Sequence, residues 1–287
     1  MKSFLYLIIS IIISVTLTSA VQQTSGNIKI ITIQAIDNHL GQGSLQQSAD
    51  IISSRLKNSG ISSFEVKVLA ENGQIKIKLP DKTDIPEIEG LLTSKGELAF
   101  YETYTHNEIT DLLKSDNQLF KMLNHDQLKE SSDPRVGCTG NENMKKTDDY
   151  LRSATPQKNC KLFWGFESEK SGFCLFALKT NTEGKPVLVR SDVESVKIVA
   201  GKDNQDAKIQ IKLKQSAVGI FANTTKNNLN KSIAIVIDDR VYSWPVVKSV
   251  IEGGEIEVTG NFSAKEMNYF PALFNSAQLP VGFKLIK

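Results

Sequence analysis

Proton-transfer chemistry would fall first to three histidines. His39, His106 and His125 stand in the contexts Asp-Asn-His, His-Asn-Glu and Asn-His-Asp, all polar. A catalytic histidine needs a nucleophile on one side of its ring and an orienting carboxylate on the other. No Ser, Cys or carboxylate stands at a recognisable spacing, so all three read as solvated loop residues. Asp238 and Asp239 close an apolar run and could form a carboxylate pair or a metal site. At a strand end they read more simply as a turn held by aspartate side chains. Gly253 and Gly254 lack the lysine and following helix N-terminus that a phosphate-binding loop requires, and read as a β-turn. The expectation is a protein that is not an enzyme and carries no metal or cofactor. A hydrolase site assembled only in three dimensions is the remaining catalytic alternative.

Cys138, Cys160 and Cys174 fit no zinc spacing. In an oxidising compartment they allow one disulfide and one leftover thiol. Lys161–Phe166 and Phe173–Lys179 read as the arms of a hairpin, which sets Cys160 opposite Lys179 and too far from Cys174 to bridge. That leaves Cys138 to pair with either, with Cys138–Cys160 as the expected bond and three unpaired thiols as the alternative. Lys and Arg number 34 against 32 Asp and Glu, and Arg occurs only at 55, 135, 152, 190 and 240. Without a basic stripe or arginine forks, nucleic acid is excluded as a partner.

The N-terminus addresses the chain outside the cytoplasm. Met1 and Lys2 precede an apolar run from Phe4 to Leu17, and Thr18–Ser19–Ala20 presents small residues for cleavage between Ala20 and Val21. The run is shorter than the ~20 residues of a comfortable span, but extended to Val21 it could stay as an anchor. The body is therefore expected in the periplasm or on the outer face of the cytoplasmic membrane.

Hydrophobic period places the elements that follow. Asn27–Ala35 alternates as a strand, and Leu45, Ala49, Ile52 and Leu56 mark one face of a helix that stops at Gly60. Strands at 64–69 and 74–79, a helix at 85–93 and a strand at 97–103 complete the order β-α-β-β-α-β, that of a ferredoxin-like unit. Short helices are expected within 107–124, and the polar stretch 125–159 as a mobile insertion or one pinned by a disulfide. Strands near 187–189, 195–199, 207–213, 232–238, 241–243, 255–258 and 282–286 and a helix at 217–227 follow. Ser263 with Glu266 suggests a capping box for a last helix that Pro271 should kink or divide. The fold class is α+β, a ferredoxin-like βαββαβ base with a second α+β head subdomain. The expected division is 1–20 signal or anchor, 27–104 base, 105–190 head and insertion, and 191–287 a C-terminal α+β segment.

From Phe221 onward the chain resembles the first periplasmic domain of SecD, an accessory subunit of the bacterial protein-export channel. Phe221 and Thr225 fit the family's F-x-x-x-T, followed by Asn227 and Lys231. Ile233 to Asp238 fits its strand ending in Asp, and Val241, Ser243 and Pro245 fit V-x-S-x-P. Ile251, Gly253 and Gly254, the run Ile256 to Gly260, Phe262–Ser263 with Glu266, and Leu279–Pro280 continue the match in order. Ile52, Arg55, Leu56 and Gly60, then Ile75 to Ile77 with Leu79–Pro80, and Gly96 to Phe100 resemble the family's base. The family passes from its Leu-Pro into a transmembrane helix, whereas seven residues follow Pro280 here. The resemblance therefore implies an extramembrane domain standing alone, working by binding polypeptide or export machinery. Phe163, Trp164, Phe166, Phe173 and Phe176 crowd one hairpin and are the candidate polypeptide-binding aromatics, with an apolar head core as the plainer reading. The alternative function is a structural or envelope-interaction domain that keeps the scaffold without an export role.

Overall fold

Alternation of apolar and polar residues builds the first sheet. The computed structural model describes residues 27–37, 41–69, 73–113, 116–125, 128, 133–153, 158–168, 172–199, 208–259 and 264–286. The first elements are β1 (Ile28–Ala35), α1 (Gln42–Asn58), β2 (Glu65–Leu69), β3 (Gln74–Pro80), α2 (Ile85–Thr93) and β4 (Leu98–Glu102). Then come α3 (His106–Leu113), α4 (Asn117–Met122), β5 (Arg135–Thr139), α5 (Asn141–Ser153), β6 (Cys160–Ser168), β7 (Gly172–Lys179), β8 (Leu188–Val189) and β9 (Val193–Val199). The chain closes with β10 (Lys208–Leu213), α6 (Gln215–Asn227), β11 (Ile233–Ile237), β12 (Arg240–Ser243), β13 (Glu255–Thr259), α7 (Ala264–Phe274) and β14 (Phe283–Ile286).

The base is an antiparallel sheet in the order β14-β1-β3-β2, the ferredoxin order. Its fourth place is held by β14 and not by Leu98–Glu102, the strand that sequence order would have put there. The pairing of Ala35 with Phe283 brings the chain's last strand onto its first. Leu98–Glu102 leaves instead for a second sheet, where it pairs with β11. Leu45, Ala49, Ile52 and Leu56 of α1 are buried against Ile33, Ile75, Ile77 and Leu79.

That second sheet has the order β5-β7-β6-β12-β11-β4-β8 and curls on itself. Thr103, just past β4, bridges Leu178 of β7, and the Tyr104 amide donates to the Ala177 carbonyl at 3.1 Å. Strands β4, β11, β12, β6 and β7 thereby close a small barrel. Tyr101, Cys174, Phe176, Leu178, Ala234, Val236 and Val241 fill it, none more than 4% exposed. Outside, Leu175 and Ala177 pack with Ile109, Leu113, Leu119 and Leu123 of the α3–α4 region, while Phe100, Ile233 and Ile235 join the core that runs into the base. A three-stranded sheet, β13-β10-β9, lies beside α6 and α7.

The polar stretch 125–159 is the alternative pinned by a disulfide, through Cys138, and it also holds β5 and α5. The Ser263 capping box lies outside the described residues. Helix α7 runs through Pro271 to Phe274. Among the described residues no helix is long and apolar enough to cross a membrane.

Candidate functional site

The β6–β7 hairpin distributes its aromatics by strand alternation. Phe163 and Phe176 are opposite one another, as are Trp164 and Leu175. Phe176 is fully buried inside the barrel, its ring 4.7 Å from that of Trp244, and Phe163 meets Tyr101 edge-on at 5.7 Å. Trp164 belongs to the outer cluster, where its Nε1 donates to Asp148 Oδ1 on α5 at 2.7 Å. Phe173 is half-buried, with Phe166 as its register partner near the turn, and the Phe166 side chain lies outside the described residues. The five aromatics are therefore not gathered on one outward face.

The disulfide is also different from the expected one. Cys138 bonds Cys174, not Cys160, with the two Cα atoms 4.0 Å apart. The cause is register: β5 pairs antiparallel with β7 and sets Cys138 directly opposite Cys174. Cys160 faces Lys179 as the hairpin argument required, and its free thiol is pushed up to about 11 by burial.

His125 is buried, His106 is half-buried, and His39 lies outside the described residues. His125 is 4% exposed and sits between the rings of Phe120 at 4.0 Å and His106 at 4.6 Å. Its Nδ1 donates to the Val136 carbonyl at 2.5 Å, leaving Nε2 at 3.3 Å from the Thr110 hydroxyl. His106 Nδ1 is buried with no hydrogen-bond partner among the described residues. Burial, then the neighbouring His125, hold the His106 imidazole below its usual range, against a smaller opposing pull from Asp133. A ring stacked between rings has no open face for a substrate.

A buried polar junction ties α1 and the α2–β4 connection to the C-terminal elements. Arg55 on α1 is 0% exposed. Its Nη1 donates to the carbonyls of Leu91 at 3.1 Å and Ser94 at 2.6 Å, and its Nη2 to those of Lys95 at 2.9 Å and Ala277 at 3.4 Å. Burial lowers the guanidinium to about 10, so it stays charged at neutral pH. Across the same crossing, Asp238 accepts from the Glu97 amide at 2.8 Å, the Gly96 amide at 3.3 Å and the Ser94 hydroxyl. Asp238 and Asp239 have φ of 46° and 61°, the backbone of a two-residue hairpin turn between β11 and β12. The turn is as expected, but the carboxylate caps the entry to β4 and not its own turn. Arg190 closes the other side by donating to the carbonyls of Phe274 and Ser276 at the end of α7.

Beside this junction opens a cleft of about 510 Å³ between the α1 terminus, the α2 start and α7. Ile61, Ile88 and Leu91 give it apolar wall, and Lys82, Asp84 and Glu87 give it charge. Tyr269 forms one wall and lies so close to Gly90 that a Cβ there would sit 2.7 Å from its ring. Among the described residues no cluster of three or more His, Cys, Asp or Glu could hold a metal.

Residues 176–281 match the family of the SecDF P1 head subdomain. The chain is SecD-like. SecD of Rickettsia felis is 24% identical over an alignment of 285 positions that covers 85% of this chain and 53% of the relative. SecD of Calditerrivibrio nitroreducens is 35% identical over 79 residues, 28% of this chain and 15% of the relative. This chain thus spans about half the length of these relatives or less. A solved structure described as a membrane component SecDF that enhances protein export aligns with a TM-score of 0.52 at 18% identity. That alignment covers 90% of this chain and 98% of the other, and it shows a shared fold.

The residues that carry the SecD-like pattern act as structural ties. Phe221 is 2% exposed and meets Phe100 edge-on at 5.8 Å. Thr225 is fully buried, and its Oγ1 donates to the Phe221 carbonyl at 3.0 Å and accepts from the Ile251 amide at 3.0 Å. Arg55 and Asp238 belong to the same pattern and form the junction.

Proposed function

We propose that this chain is an extracytoplasmic, non-enzymatic binding domain of the protein-export machinery, working in the periplasm or on the outer face of the cytoplasmic membrane. The observation that carries the reading is the SecDF P1 head match over residues 176–281 within a fold shared across 90% of the chain. Its partner is polypeptide in an unfolded, exported state, or a component of the translocon. Phe163, Trp164 and Phe176 support the surface from within, and contact with the polypeptide is assigned to the hairpin tip, where Phe166 and Phe173 are register partners. The buried state of Phe176 favours a second reading, an envelope-interaction domain that keeps the scaffold without taking exported chains.

A binding measurement separates the two. The purified protein is titrated with a fluorescent secretory precursor held unfolded, and with the same precursor folded. The first reading expects saturable binding to the unfolded form that weakens several-fold in Phe173→Ala. Absence of binding both to the unfolded precursor and, in a pull-down from envelope fractions, to translocon components overturns it and leaves the second.

A further inference from the structure

The outward face of the base sheet is built for a charged, partly apolar plane. Because Ile31, Ile33 and Ala35 of β1 pack inward, Ile28, Ile30, Thr32 and Gln34 point away from the core. Register fixes what lies beside them. Ile28 is opposite Pro80, Ile30 opposite Lys78, Thr32 opposite Lys76, and Gln34 opposite Gln74. On the next strand Glu65 is opposite Lys78 and Lys67 opposite Lys76, and on the other edge Lys284 is opposite Gln34.

Two features of this face are costly to the fold. Ile28 and Ile30 are 62% and 53% exposed, two residues apart on one strand. Lys67 and Lys76 stand directly opposite, a like-charge pair that destabilises a sheet. Among the described residues of these strands, four lysines (67, 76, 78 and 284) share the face with one acid, Glu65, which is bonded to Lys78 at 2.8 Å. An anionic plane with an apolar layer beneath it would relieve both costs together.

The sequence supplies a reason for such a plane to be near. The apolar run Phe4–Leu17 ends nine residues before Asn27. Nine residues reach at most about 32 Å, so a membrane that takes up the run would lie within reach of Ile28.

We propose that the outer face of the base sheet docks on the anionic lipid surface of the membrane, Ile28 and Ile30 entering the headgroup layer and the four lysines meeting lipid phosphates. Basic residues near an anionic leaflet gain from its surface potential, and the gain fades with added salt. Docking would hold the base flat and direct the head away from the bilayer. The inference does not depend on what the head binds.

The full chain is mixed with vesicles of phosphatidylcholine, and with vesicles that also contain phosphatidylglycerol, and its lysines are labelled with a membrane-impermeant amine reagent. In the anionic vesicles, Lys67, Lys76, Lys78 and Lys284 should lose most of their labelling and regain it in high salt. Exposed Lys185, Lys226 and Lys248 should label equally in both. Lys67→Gln and Lys76→Gln should each weaken docking about fivefold, and circular dichroism of each variant checks that the fold is kept. Equal labelling of the four lysines in both vesicle types overturns the proposal. So does protection that appears only when envelope proteins are added, which would make the partner a protein.

Discussion

Arg55 carries its charge into the interior with no acidic partner bonded to it among the described residues; four carbonyls from the α2–β4 crossing and the segment after α7 satisfy its Nη atoms. Arg55→Met would leave those carbonyls buried and unpaired. The expected loss is about 3 kcal/mol or more, read as a shift in the urea midpoint. Arg55→Lys should fare little better, because a compact ammonium cannot span the positions a planar fork reaches. His106 gives a pH signature. Its imidazole is held below its ordinary 6.5, chiefly by burial. Above pH 6.5 the ring is neutral in both states. As pH falls below that value the unfolded chain takes up the proton first, so stability falls until the folded pKa is passed and then levels off. Urea midpoints measured between about pH 7 and pH 5 should decline in the native protein and decline less in His106→Gln; identical slopes would remove His106 as the source. At this scale the sequence was only half legible. Polar neighbours made His106 and His125 look solvated, because nothing in Asn-His-Asp shows that a phenyl ring from α4 will cover it. Arg55 was named only as part of the pattern that resembles the family's base, because its ligands are main-chain carbonyls, which no sequence pattern displays.

Elements with a clear period were legible, and those whose partner lies far along the chain were not. The 17-residue α1, the β2–β3 pair and the alternation in β10 follow from local spacing. Helix α5 escaped because Thr147 is the residue it fully buries, so its apolar stripe is thin. Strand β14 was legible as a strand, but not as the fourth member of the base sheet, since loop entropy grows only slowly with separation and does not forbid so distant a partner. The consequence is measurable. Phe283 is 3% exposed in the base core, so Phe283→Ala should cost about 3 kcal/mol or more, although only four residues of the given sequence follow it. Barrel closure makes a second demand. At Gly165 a Cβ would lie 2.7 Å from the Val241 carbonyl and 2.9 Å from Phe176, where β6 runs parallel to β12. Gly165→Ala should therefore push those strands apart, lowering stability by about 1–3 kcal/mol. Loss of amide-exchange protection in β12 with retention in β3 would place the damage in the barrel, and unchanged protection in β12 would refute the contact.

Base and head share more than a linker. One apolar cluster contains Ile33 and Phe283 of the base sheet, Phe100 and Ile235 of the barrel, and Phe221 and Ile256 of the C-terminal elements. Three polar ties join residues 27–104 to the C-terminal elements: Arg55 to the Ala277 carbonyl at 3.4 Å, the Glu97 amide to Asp238, and the Leu279 amide to the Lys95 carbonyl at 2.9 Å. Parts that share a core and a polar junction should unfold as one unit, so calorimetry of the native protein should show a single transition with matching calorimetric and van't Hoff enthalpies. Asp238→Gly tests whether the junction contributes. Glycine is at ease at φ 46°, so the turn survives while the three hydrogen bonds to the carboxylate are lost. Hydrogen bonds to charged groups run to about 1.5–3 kcal/mol each, so the variant should melt well below the native protein. Exchange protection should fall first in β4 and β11, the strands that begin and end at the crossing, and persist in β1 and β3. Two resolved transitions in the native protein would show that the shared apolar cluster does not bind base and head into one cooperative body. An unshifted melting temperature in Asp238→Gly would show that the apolar cluster couples them without help from the polar junction.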